Sequence, residues 1–246
     1  MIRILLLVGL LSGVLSAEAQ FMKVLDPDGF VNIREEPNVK SKIVGKVNSH
    51  AVVYHLEADG MSGNWVSVTF RVNDKELDGY IHASRLKVLS QLASVPLVAS
   101  DQTHWLFKSP KGKGTTADVS VRVEFDNANP NALKGKLKMD ENGDIALNGV
   151  PVWGLYDPNV KASRYKSIEV EIGGRKTGVP AKELETLFSV GEDLQHGSRF
   201  PMLITYDKER DALYIGASNG DTSYAYDVLF VFVAGKFKER LVYIPF

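Results

Sequence analysis

The chain has 246 residues, 44% hydrophobic and 24% charged, with 29 basic against 30 acidic side chains and no cysteine. This is the composition of a globular protein and argues against wholesale disorder, a coiled coil or a collagen-like fibre. The lack of cysteine excludes disulfides, thiolate nucleophiles, cysteine-ligated zinc and iron–sulfur clusters, and a net charge of −1 gives no general reason to expect nucleic acid as a partner.

The first residues read as an address. Arg3 supplies a positive start, residues 4–15 form an apolar run broken only by Gly9, Ser12 and Gly13, and Ala17 and Ala19 place small residues at −3 and −1 before Gln20. That is the three-part form of a secretory signal peptide spanning residues 1–19 and cleaved after Ala19. The run is too short for a good membrane span, which needs about 20 residues. The expectation is a mature protein without a membrane span, periplasmic or secreted. Cytosolic ATP or NAD chemistry does not suit that location, and no cofactor is expected.

Residues 20–90 read as short strands punctuated by turns. Val31-Asn32-Ile33-Arg34 alternates and is broken by Glu35-Glu36-Pro37-Asn38. Val66, Val68, Phe70 and Val72 share one face of a later strand, and Trp65, Ser67, Thr69 and Arg71 share the other. Gly79-Tyr80-Ile81-His82 and Ser84-Arg85-Leu86 close the unit.

The order of Val31-Asn32-Ile33-Arg34-Glu35-Glu36-Pro37, Gly45-Lys46-Val47, Trp65-Val66-Ser67-Val68, Gly79-Tyr80-Ile81 and Ser84-Arg85-Leu86 resembles the bacterial SH3 (SH3b) family. In that family an L-N-V-R-x-x-P opening precedes a G-x-V strand, a W-x-x-V strand, a G-W-V strand and an S-x-x-L turn. Tyr80 stands where the family usually has tryptophan, and the hairpin after Trp65 is lengthened. The resemblance implies an SH3-like β-barrel that binds rather than catalyses, holding an exported protein to peptidoglycan or to a protein partner. Aromatic side chains at a barrel rim suit peptides and sugars, because they offer flat apolar area with a polar edge. Tyr54, Trp65, Tyr80 and His82 are the rim candidates. Asn32 and Arg34 join them as ligand contacts or, in the plainer reading, fix the first loop by bonding to backbone. Trp65 either caps the outer side of the barrel or sits in its groove.

Residues 91–104 carry small residues and Pro96 and read as a linker. Residues 105–246 then read as a β-rich domain, a sandwich or an α+β fold, with one short helix. Val119, Val121, Val123 and Phe125 alternate with polar residues, as do Ile168, Val170 and Ile172. Pro180 at a helix start followed by Leu184, Leu187 and Phe188 predicts the helix. Tyr226, Val228, Phe230 and Phe232 share a face and Leu229, Val231 and Val233 fill the other, so this strand is expected to be central and buried on both sides. Part of the closing stretch, from Asp211 to Arg240, is similar to a C-terminal module of secreted proteobacterial proteins of unassigned function; it is mostly hairpin grammar and carries no catalytic residues across.

Chemistry is sparse. His50, His55, His82, His104 and His196 are scattered without a metal-ligand spacing, although His50 and His55 can approach across a loop. Asp140-Glu141-Asn142-Gly143-Asp144 departs from a calcium loop at its sixth and twelfth positions, Ile145 and Pro151, and reads as a turn. Gly216-Ala217-Ser218-Asn219-Gly220 matches G-x-S-x-G, but a strand rather than a helix is expected after it and no histidine follows. Between Trp105 and Met139 seven basic residues face three acidic ones, and Lys134, Lys136 and Lys138 fall on one face of an expected strand. This basic patch suits an anionic polymer or acidic partner, or simply deters edge pairing. The leading expectation is an exported non-enzymatic binding protein that contacts peptidoglycan or a periplasmic or secreted protein. The alternatives are an inhibitor or immunity-type protein that neutralises a cell-wall-targeting effector, and a cysteine-free cell-wall hydrolase.

Overall fold

The computed structural model describes residues 20–55, 61–72, 75–110, 118–128, 133, 135–190, 202–220 and 222–245. The stretch read as a leader, the 111–116 loop and Lys134 lie outside the described residues.

The protein is mainly β. Its first sheet comprises β1 (Gln20–Val24), β2 (Phe30–Arg34), β3 (Ile43–Asn48), β4 (Val52–His55), β5 (Met61–Ser62), β6 (Trp65–Val72), β7 (Lys75–His82) and β8 (Leu86–Val88). All pairings are antiparallel, in the order β3-β2-β7-β6-β4-β1-β8, with β5 on β6. Val24, Val31, Ile33, Val47, Val53, Val66, Val68, Phe70 and Ile81 form one buried cluster. The inner faces of six strands of one sheet therefore pack on each other, which is a sheet closed into a small barrel. Two glycines permit the closure. A Cβ on Gly45 would stand 2.6 Å from the Phe70 ring, although β3 and β6 are not neighbours in the sheet, and one on Gly79 would stand 2.5 Å from the Ile33 side chain and 2.8 Å from the Arg34 carbonyl.

The stretch read as a linker is built into the second unit. Its residues form β9 (Ala93–Ser94) and β10 (Leu97–Ser100), and buried Val95 between them carries the chain from one sheet to another. One sheet contains β10, β11 (His104–Lys108), β12 (Val119–Asn127), β16 (Ser163–Ile172) and β17 (Arg175–Gly178), in that order. The other runs β21 (Lys236–Tyr243), β20 (Tyr226–Val233), β19 (Ala212–Asn219), β18 (Met202–Asp207), β9. Trp105, Phe107, Val121, Val123, Ile168 and Val170 of the first meet Ile204, Leu213, Ile215, Val228, Phe230 and Phe232 of the second in one core, so the domain is a β-sandwich. A small sheet of β13 (Leu137–Met139), β14 (Ile145–Leu147) and β15 (Val150–Pro151) lies beside it.

The helix is shorter than its apolar stripe implies. It is one turn, α1 (Ala181–Leu184), with Pro180 as its N-cap rather than its first residue. Leu187 and Phe188 are buried like Leu184, but as bridge residues opposite Trp153 and Arg164, so their i, i+3, i+4 spacing reflects burial and not a continuing helix. The basic face also changes. Lys138 lies on three-residue β13, whereas Lys136 is in the turn before it, so these two lysines do not share a strand face.

The barrel and the sandwich share a third core. Tyr54 and Leu89, with Phe21 and Val52, pack against Ala212, Tyr214, Leu229, Val231, Leu241 and Tyr243. The sheet containing β20 is thus covered twice, by its sandwich partner and by the outer wall of the barrel, which is why seven of the eight β20 residues are buried. Two buried polar side chains of the barrel, Lys23 and Tyr54, are paired across this junction. The Lys23 ammonium meets the Asp207 carboxylate with side chains only 4% and 6% exposed. The Tyr54 hydroxyl donates to Asp227 Oδ2 at 2.7 Å, and the Tyr54 and Tyr243 rings stack 4.6 Å apart at 9°.

A buried pair is most sensitive to losing one member, because the survivor is left charged and desolvated. Lys23→Met is expected to lower the unfolding free energy by about 3–5 kcal/mol in denaturant titrations, and Lys23→Met with Asp207→Asn to recover most of it. Equal stability of the single and double variants would refute this account of the pair.

A second clamp ties the sandwich together at its edge. Arg175 Nη2 donates to Asp211 Oδ2 at 2.6 Å and Nη1 to the Ala234 carbonyl at 3.3 Å, while the Tyr206 hydroxyl donates to Asp211 Oδ1 at 2.7 Å. The tyrosine hydrogen bond and the guanidinium hold the Asp211 carboxyl below its ordinary range, more than offsetting partial burial. A carboxylate depressed in the folded state adds stability above its unfolded pKa of about 3.9 and loses it as pH falls through the lower folded value. The stability difference between wild type and Asp211→Asn is therefore expected to hold from neutrality down to about pH 4 and to shrink below it. A difference independent of pH would contradict this role.

Candidate functional site

Strand register places the sequence candidates on one outer surface. Residues directly opposite one another in a ladder point to the same side. Trp65 faces His82, Ser67 faces Tyr80 and Thr69 faces Asp78 across β6 and β7, while Arg34 faces Tyr80 across β2 and β7. Asn32 lies two residues before Arg34 on β2, on the same side. Val66, Val68, Phe70, Ile81 and Ile33 alternate with them into the core. Trp65, Tyr80, His82, Asn32 and Arg34 thus form a connected strip on the outside of the barrel, each half-buried.

Local contacts stiffen this strip. The Trp65 and His82 rings meet edge to face, 5.5 Å apart at 87°. His82 Nδ1 accepts from the Ser84 backbone N–H at 3.3 Å and lies 2.8 Å from the Ser84 hydroxyl, capping the 3-10 turn Ala83–Arg85. The Arg34 guanidinium donates to the Ser41 carbonyl at 2.6 Å and so holds the loop after β2, the plainer of its two expected roles. The Thr69 hydroxyl donates to Asp78 at 2.7 Å further along the same face. Ser41 and Ser84 set the positions of Arg34 and His82, and nothing in their spacing indicates the first of these contacts.

Tyr54 belongs to a different environment. It lies opposite Thr69 and so on the outer side of the barrel, but the sandwich covers this stretch and leaves it 1% exposed. It departs from the rim set for that reason. Burial, then the neighbouring Asp227 charge and the hydrogen bond to it, push the Tyr54 hydroxyl above its ordinary range and keep it a proton donor. Asp227 also accepts from the Ser218 hydroxyl at 2.6 Å. A lone aspartate opening an otherwise apolar strand was the available signal for this buried acceptor.

The chemical motifs resolve into structure. Ser218 lies within β19, opposite Asp227, so the motif is extended strand as far as Asn219 and Ser218 does not sit on a strained elbow. Asp140 Oδ1 accepts from the Asn142 and Asp144 backbone N–H groups at 2.9 Å, closing the turn between β13 and β14. His55 Nδ1 engages the Ser67 carbonyl at 2.7 Å. Among the described residues no three His, Asp or Glu side chains gather as a metal site, and no helix is long and apolar enough to cross a membrane. Set against protein-family models, curated proteins and solved structures, the chain matches none of them.

Tyr54→Phe is expected to cost about 1–3 kcal/mol in equilibrium unfolding, because it removes one donor from a buried carboxylate. It should leave ligand binding at the Trp65 strip unchanged. Loss of binding without loss of stability would return Tyr54 to the ligand surface.

Proposed function

We propose that this chain is an exported, non-enzymatic binding protein whose N-terminal unit is a bacterial SH3-type barrel that engages peptidoglycan through the strip of Trp65, Tyr80 and His82. The observation that carries this reading is an asymmetry of the barrel wall. One aromatic stretch of its outer surface, around Phe21 and Tyr54, is covered by the sandwich, whereas Trp65, Tyr80 and His82 face outward on strands β6 and β7. Two rigid aromatic rings flanked by an imidazole and a guanidinium suit a short peptide or sugar chain, which needs apolar contact on a face and polar contacts at its edge. The order of sequence motifs across the barrel, and the leader that precedes it, point the same way.

The test is co-sedimentation of the purified protein with isolated sacculi. Wild type is expected to pellet with them, and Trp65→Ala and Tyr80→Ala each to weaken binding by about tenfold or more, with melting temperature as the control for folding. A single tight protein partner recovered from periplasm, with no sacculus binding, would replace this reading with the inhibitor or immunity-type role. Release of muropeptides by the purified protein would overturn a non-enzymatic role altogether.

A further inference from the structure

An open groove of about 700 Å³ lies where the barrel meets the sandwich, and Ser84, which touches His82, forms part of its lining. Its wall comes from both units: Asp26 from the turn after β1, His50 from the turn between β3 and β4, Arg85 from the 3-10 turn, and Arg210 from the turn between β18 and β19. The one carboxylate among these four is already engaged. Asp26 Oδ1 accepts from the Asp28 backbone N–H at 2.8 Å, and Oδ2 pairs with Arg85 Nη1 at 3.1 Å in a side chain 7% exposed. Arg210 is exposed, with no carboxylate in ion-pair range among the described residues.

His50 is the unusual member. Its backbone sits at φ 71, a left-handed conformation disfavoured for a residue with a Cβ, and its N–H is pinned to the Val24 carbonyl at 2.7 Å. Its Nδ1 is shielded from solvent and has no hydrogen-bond partner. Burial, then Arg210 and Lys23, disfavour its charged form, and Asp207 and Glu209 offset this only in part. A neutral imidazole with an unmet ring nitrogen thus lies beside two guanidinium groups.

We infer that this groove is a binding site for a small ligand bearing an oxyanion, carboxylate or phosphate, held by Arg210 and Arg85 beside His50. Guanidinium groups match both anions through paired N–H donors. The charge of a bound anion also offsets the field of Arg210 and Lys23 that keeps His50 neutral. Binding therefore strengthens as pH falls through the His50 titration, and bound anion moves that titration upward.

The test uses isotope-labelled protein titrated in about 0.15 M chloride, where weak surface attraction is screened, with inorganic phosphate and, separately, with N-acetylglycine. Saturable shifts at Ser49, His50 and Arg85 with either probe are expected, together with an upward move of the His50 titration. Tighter phosphate binding assigns a phosphate ligand, and tighter N-acetylglycine binding a carboxylate. Arg210→Ala should weaken binding about tenfold, the scale of one charge-assisted hydrogen bond, without changing the melting temperature, because Arg210 is exposed. The inference fails if neither probe saturates, or if Arg210→Ala binds as wild type does. Neither result bears on sacculus binding by the Trp65 strip.

Discussion

The structure depends on a sheet that is buried on both sides. β19, β20 and β21 turn one apolar face to the sandwich core and the other to the outer wall of the barrel. Burial of this kind is the dominant favourable term in folding, and it must hold a chain with no cysteine and hence no disulfide. The second face is also where the polar design is concentrated: Lys23 on Asp207, Tyr54 on Asp227, and Ser218 on the other oxygen of Asp227. Each pairing spares a desolvated group, and each restricts how the two units can sit, because a shifted interface would strand a charge.

This junction decides which surfaces of the barrel remain available. β1 and β4 lie under the sandwich, which removes Lys23 and Tyr54 from contact with solvent or ligand, partly buries Phe21, and leaves the β2, β7 and β6 side open. The same junction creates the groove, since its lining needs turns from both units. Two candidate surfaces thus follow from one packing event: an aromatic strip on the barrel alone, and a cationic cleft whose lining comes from both units.

Much of this was legible in the amino-acid sequence, for reasons that can be stated residue by residue. Period-two alternation located β6, β12 and β16, because a strand with one buried face must alternate. The two apolar faces of β20 correctly indicated burial on both sides, though not what lies on the second face. Alternation also put Trp65 on the face opposite Val66, Val68, Phe70 and Val72, whereas the common side of Trp65, Tyr80, His82, Asn32 and Arg34 emerges only from the register of β2, β6 and β7. It failed for Tyr54, since a tyrosine covered by a second unit and one open to ligand occupy the same place in a strand pattern. It failed for residues 91–104, where β9 and β10 are short edge strands whose small residues look like a connector. The helical stripe at Leu184, Leu187 and Phe188 misled because an irregular buried segment can satisfy the same spacing. His50, Arg85 and Arg210 carry no common local signal at all, as they meet only through tertiary packing.

Barrel and sandwich are expected to move as one body through the Lys23, Tyr54 and Tyr243 contacts. Backbone ¹⁵N relaxation, measured for barrel amides such as Val68 and Ile81 and for sandwich amides such as Val121 and Phe230, tests it directly. The account predicts one rotational correlation time for both sets. A shorter time for the barrel amides, as for a small unit tumbling on a tether, would contradict it.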